Sequence, residues 1–225
     1  MLCFVSAMDV ELQFLLQNAT ILSNEKLGFG DVKRISIKGK ECYVCRAGIG
    51  KVLSSTSVAC CLLKHPEITG VINIGIGGSL DAKKAPLMTA VLGVDFVQHD
   101  LDTSALGNPI GYLHGLDRIT IESDKSLNAR LKEACGACGV PVCEISMSSG
   151  DRFLAKDEDK AELVKRFGVV SVDMESAAMA EACFVHEKPF ACLRIISDAV
   201  DHEHEYWQYR GPAAELACKV AMAML

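Results

Sequence analysis

Short apolar runs that stop at a glycine or an acid, each followed by a helical pattern, recur along this chain. That alternation limits the fold more than any other feature. Residues 2–7, 69–80, 89–100, 142–149 and 189–200 have strand length and apolar or β-branched content. Helical periodicity follows at Asp9, after the glycines of 48-GIGK-51, over 123–138 with Gly139 past its end, over 156–167, from Asp173 to 185, and through the Ala-rich tail to Leu225. Strands that alternate with helices pair mostly in parallel and carry the helices on their faces. The expected architecture is therefore α/β, one domain spanning 1–225 around a largely parallel central sheet.

Two stretches depart from the pattern. Residues 18–24 read as a polar connection, followed by VKRISIKG and KECYVCRAG as a hairpin turning near Gly39. Residues 101–117 hold Gly, Asn and Pro with little periodicity, the composition of a long loop that is functional or covers an interface. Its apolar residues call for a partner surface.

A chain of 225 residues that is half hydrophobic and 23% charged can bury a sizeable core. Its net charge of −6, with no basic stripe interleaved with aromatics, argues against nucleic acid as a partner. The start MLCFVSAMD has no basic segment and meets Asp9 early, and no stretch approaches the length of a membrane span, so a cytoplasmic protein is expected. The 11 cysteines are odd in number and sit mostly in apolar elements, which fits reduced, buried thiols. Cys42 and Cys45 lie three apart in an alternating strand and point to opposite faces. Cys135 and Cys138 lie at a helix end and read as packing, so no metal is expected. Neither glycine run has dinucleotide or phosphate-loop spacing, and no cofactor is expected.

The acids are placed less conventionally. In 169-VVSVDMESAAMAEACFV-185 a β-branched run gives way to an Ala-rich helix, for which Asp173 is a good N-cap. Glu175, Ala178, Met179 and Ala182 share one stripe, so a carboxylate opens an otherwise apolar face, while Glu181 lies on the outer face. An acid on an inner face must be satisfied by backbone donors or by a ligand. Glu11 holds the same kind of position ahead of Phe14 and Leu15. Glu11, Gly75 to Gly78, Phe153 with Glu175, and Asp198 all follow strand ends, and in such sheets the ligand crevice lies beyond those ends. Taken singly, each acid reads better as a cap or a first-turn residue favoured by the helix dipole.

Five segments together are more specific. AMDVE at 7–11, GIGKV at 48–52, SGDRF at 149–153, VDMESAA at 172–178 and RIISDAVD at 194–201 resemble, in order and spacing, the 5′-methylthioadenosine/S-adenosylhomocysteine nucleosidases of the nucleoside phosphorylase superfamily. The resemblance implies a mixed, partly barrel-like, twisted sheet flanked by helices, and a homodimer. It implies Asp198 as the acid that protonates a leaving purine, Glu11 as the base that activates water, and Glu175 on the ribose hydroxyls with Met174 against the sugar. It places Phe153 on the base, the Leu154 backbone at the base edge, and Met8, Gly78 and Ser197 around the same site. Ile49, Tyr206 and Trp207 would wall the 5′ end from one chain, and Thr103, Leu106 and Asn108 would lean in from the other subunit.

The chemistry is consistent with this set. Cleaving an N-glycosidic bond builds positive charge on the ribose and negative charge on the base, which calls for an acid, an activated nucleophile and a grip on the sugar. The chain departs from the family at Ile76 and Gly77, where a hydroxyl is usual, and at Thr103, Leu106 and Asn108, where relatives carry an aliphatic and two aromatics. A phosphorylase would need Arg or Lys beside the glycine donors, where this chain has Asp9 and Glu11. A hydrolase of the futalosine type and a non-catalytic nucleoside-binding protein are the other readings.

Overall fold

Partial closure of the sheet positions everything else. The computed structural model describes residues 1–199 and 202–225, so a strand read as far as Val200 ends outside the described residues. In chain order the elements are β1 (Leu2–Ser6), α1 (Val10–Gln17), β2 (Thr20–Leu27), β3 (Gly30–Ile37), β4 (Lys40–Arg46), α2 (Lys51–Lys64), β5 (Gly70–Ser79) and β6 (Ala90–Gln98). They continue with β7 (Thr120–Glu122), α3 (Lys125–Ala137), β8 (Val142–Ser149), α4 (Asp157–Phe167), β9 (Ser171–Asp173), α5 (Ser176–Val185), β10 (Phe190–Asp198) and α6 (His202–Met224).

β5 is flanked by β1 and β10, both parallel to it, and at its end pairs antiparallel with β9 through Gly78 and Ser79. β10 then pairs with β6, β6 with β8, and β8 with β9, so the circuit β5, β10, β6, β8, β9 closes on itself. β1, β4, β3 and β2 extend from it as an open wing. The result is the mixed, partly barrel-like sheet that the family resemblance implies.

Successive strand residues feed two apolar layers. Phe4 packs with Leu12, Leu15, Ile72 and Ile74 on one face, while Cys3 and Val5 pack with Val71, Met179 and Cys183 on the other. Cys42 and Cys45 divide between the same two layers. On the first face the Ala-rich part of α6 is fully covered at Ala213, Ala214, Ala217 and Ala221, small side chains that let a long helix lie close to β5 and β10.

Two elements differ from the sequence reading. Residues 20–27 form β2 rather than a polar connection; it is the outermost strand, mostly exposed and paired only with β3, so no buried face imprints an apolar alternation on it. Asp173 ends β9 instead of capping α5, whose N-cap is Glu175. Its carboxylate still accepts the Glu175 and Ser176 N–H groups, each at 3.0 Å, from two residues before that N-cap. The hairpin is as expected: Lys38 and Gly39 both have positive φ and join paired residues Ile37 and Lys40, a two-residue turn matched to strand twist.

Candidate active site

The strand ends deliver three acids to one cavity of about 640 Å³, mouth included. Glu11 sits in the first turn of α1, and its carboxylate folds back onto the end of β1, accepting N–H groups from Ala7 at 3.1 Å and Met8 at 3.0 Å. Its other oxygen accepts from Ile76 of β5 at 2.9 Å. The Ile76 side chain packs in the core, so its part in the site includes a backbone donor that holds Glu11. Glu175 accepts from Gly50 N–H at 3.0 Å, tying the end of β9 to the glycine turn before α2. Asp198 closes β10 and receives the Ser197 hydroxyl at 2.8 Å. All three carboxylates are buried, 1%, 5% and 4% exposed.

Arg194 organises this cluster. It lies within β10, 1% exposed, with Nε donating to Asp173 at 2.8 Å and Nη2 donating to Asn73 at 2.8 Å and Glu175 at 3.4 Å. Its Nη1 lies 3.5 Å from Glu11. A buried cation shared among three carboxylates offsets much of their desolvation, and removing one partner of such a set leaves uncompensated charge. Gly75 makes room for it: a Cβ there would stand 2.2 Å from Glu11 Oε1 and 2.4 Å from Arg194 Nη1. At Gly78 a Cβ would lie 3.0 Å from Asp198 Oδ2. These glycines of β5 therefore make room for the side chains of Glu11, Arg194 and Asp198.

The acids titrate differently. Burial would raise Asp173, but Arg194 and bonds from Ser149 and Ser176 together hold it below its ordinary value. Burial dominates at Glu11, which is raised despite Arg194 and its backbone donors. Glu175 is pushed up to about 7 by burial, with Asp173 and Glu11 adding to the rise and Arg194 and Gly50 opposing it. Because its folded-state value is raised, Glu175 contributes stability that is fully present below its ordinary 4.5 and is lost as pH rises through about 7. Glu11 acts in the same sense, whereas Asp173 stays ionised across that window. Glu175→Gln cannot ionise, so its melting temperature should gain on the wild type as pH rises from about 5 to about 8. Parallel melting curves across that range would contradict the assignment.

Around the acids the walls are apolar. Met8, Ile49, Met174, Phe153, Leu154 and Tyr206 line the cavity, with the Phe153 and Tyr206 rings edge to face at 5.7 Å. Gly78 and Ser197 complete the expected set on the same cavity. Trp207 does not line it. The indole is 60% exposed, edge to face with Tyr206 and covered by the Arg210 guanidinium, because neighbours on a helix point in different directions. Thr103, Leu106 and Asn108 also stand outside the cavity of this chain. Thr103 bonds His114, and Leu106 is 79% exposed. Part of the apolar content of 101–117 is satisfied internally, since Leu113 is buried and Leu101 and Leu116 pack on the second core layer. Glu181 is not simply an outer acid; Gln98 bonds it and burial raises its carboxyl.

Sequence reasoning missed Arg194, Asp173 as a site anchor, and Asn73. The available signal was an arginine in the middle of FACLRIIS and an asparagine inside VINIG, polar groups where both neighbours are core.

An acid-lined cavity with aromatic and aliphatic walls, set at the strand ends of a half-closed α/β sheet, defines a protein that takes a small organic ligand. The chain belongs to the phosphorylase superfamily, whose sequence profile matches residues 2–225. It is 31% identical over 224 residues to the 5′-methylthioadenosine/S-adenosylhomocysteine nucleosidase of Actinobacillus succinogenes, covering 98% of this chain and 96% of that one. It is 35% identical over 164 residues to the aminodeoxyfutalosine nucleosidase of Helicobacter pylori, covering 73% and 70%. The native structure of futalosine hydrolase of Helicobacter pylori strain 26695 superposes with a TM-score of 0.92 at 28% identity, covering 99% of this chain and 96% of that chain.

Proposed function

We propose that this protein is a nucleosidase that hydrolyses the N-glycosidic bond of adenine nucleosides carrying a 5′ substituent, of the methylthioadenosine and S-adenosylhomocysteine class. The observation that carries this reading is the convergence of Asp198, Glu11 and Glu175 on one cavity, each held by different partners. Phe153 offers a face for the purine, the Leu154 backbone meets its edge, and Asp198 passes a proton to the leaving base. The Ser197 hydroxyl donates to one oxygen of that carboxylate and orients it. Glu11 takes a proton from water as it attacks the anomeric carbon, and burial makes it a stronger base than an exposed carboxylate. Glu175 holds the ribose hydroxyls, and Met174 lies against the sugar.

Hydrolysis is favoured over phosphorolysis by the cations nearby. Arg194 is committed to Asp173, Asn73 and Glu175, Arg46 to Asp31 and Asp9, and Arg152 to Asp159. Each positive charge already has a carboxylate, and the acids at the end of β1 repel a phosphate dianion.

The likeness to a futalosine hydrolase favours a second reading, in which the same bond is cut but the 5′ group is larger. In both, a second subunit closes the outer end of the cavity with its Thr103, Leu106 and Asn108. The exposed Leu106, Val52 and Val185, 79%, 74% and 62% accessible, supply apolar area for that homodimer. No helix among the described residues is long and apolar enough to cross a membrane.

Chromatography of reactions with methylthioadenosine, S-adenosylhomocysteine and adenosine tests the reading. Free adenine should appear from at least one of them without added cofactor. Release from none would leave a nucleoside-binding protein.

A further inference from the structure

We infer that the Tyr206 hydroxyl is a specificity element, donating a hydrogen bond to an oxygen on the substituent attached at ribose C5′; this rests on the nucleoside reading above. The cavity has a direction. Asp198 and Phe153 mark the base end, and Glu11 and Glu175 mark the sugar. Met8, whose N–H holds Glu11, and Ile49, next to the Gly50 that holds Glu175, lie on the side of those acids. Tyr206 lines the same cavity and its hydroxyl points at Met8, with 3.9 Å between Oη and Sδ. A group leaving the sugar away from the base therefore meets Met8, Ile49 and Tyr206.

The ring is held where it is. It makes edge contacts with Phe153 at 5.7 Å and Trp207 at 5.5 Å. Phenylalanine would make the same apolar wall, so the hydroxyl has to be explained separately. Among the described residues its hydrogen-bond partner is the Met8 thioether, a weak acceptor. A half-buried phenol bonded only to sulfur, in a corner lined by Met8 and Ile49, gains most when an oxygen of the ligand replaces that contact.

The test is a cycle of two enzymes against two substrates, wild type and Tyr206→Phe with adenosine and 5′-deoxyadenosine, which differ only in the 5′ oxygen. The wild-type preference in kcat/KM for adenosine over 5′-deoxyadenosine should fall roughly three- to tenfold in Tyr206→Phe, the worth of one such bond. A preference unchanged between the two enzymes, or an equal loss on both substrates, would assign the residue to packing and overturn the inference. Failure of the wild type to release adenine from either nucleoside would instead reject the nucleosidase reading, and this inference with it.

Discussion

Asp198→Asn should lower the rate of adenine release by roughly 10²-fold or more while leaving the fold intact. The substitution keeps the shape and keeps an acceptor for the Ser197 hydroxyl, which bonds Asp198 at 2.8 Å, but removes the transferable proton. The leaving purine must then depart with its negative charge unquenched, and general acid catalysis contributes about 10² to 10⁴ in rate. Steady-state turnover on methylthioadenosine, read beside a thermal melt, measures both halves. Turnover close to wild type with an unchanged melt would remove Asp198 from the chemistry.

Glu11→Gln should be as damaging to turnover, by about 10²- to 10⁴-fold, but for the opposite proton transfer. The variant also carries a structural cost. Both oxygens of Glu11 accept backbone N–H groups, one from Ala7 and Met8 and the other from Ile76, so either orientation of the amide turns a donor toward a donor. A lower melting temperature is expected, corresponding to about 1–3 kcal/mol. Product adenine should still bind, because the proposed base contacts are Phe153, Leu154 and Asp198. Calorimetric titration with adenine separates the roles: lost adenine affinity in a folded variant would make Glu11 a binding residue.

The legible parts of this molecule are those where one local rule acts. Apolar runs of strand length located β1, β5, β6, β8 and β10, and an acid at or after a strand end marked Glu11, Glu175 and Asp198. What stayed hidden depends on long-range pairing. Closure of the sheet rests on two residue pairs between β5 and β9, Gly78 with Val172 and Ser79 with Ser171, which leave no periodic trace. The Arg194 cluster gathers Asn73 from within β5, Asp173 from the end of β9 and Glu11 from the first turn of α1, and no spacing in the chain announces it. β2 was missed because an exposed edge strand has no buried face to pattern. Trp207 was misplaced because adjacency to Tyr206 in sequence does not carry to the same side of α6.

The central claim is that water, and no other nucleophile, attacks the sugar. Purified protein incubated with methylthioadenosine, with and without inorganic phosphate, answers this through the identity of the sugar product. The arrangement of Glu11 on backbone donors, with Arg194, Arg46 and Arg152 each paired to carboxylates, predicts the free methylthioribose sugar at a rate indifferent to phosphate. A sugar 1-phosphate formed only when phosphate is present would contradict it.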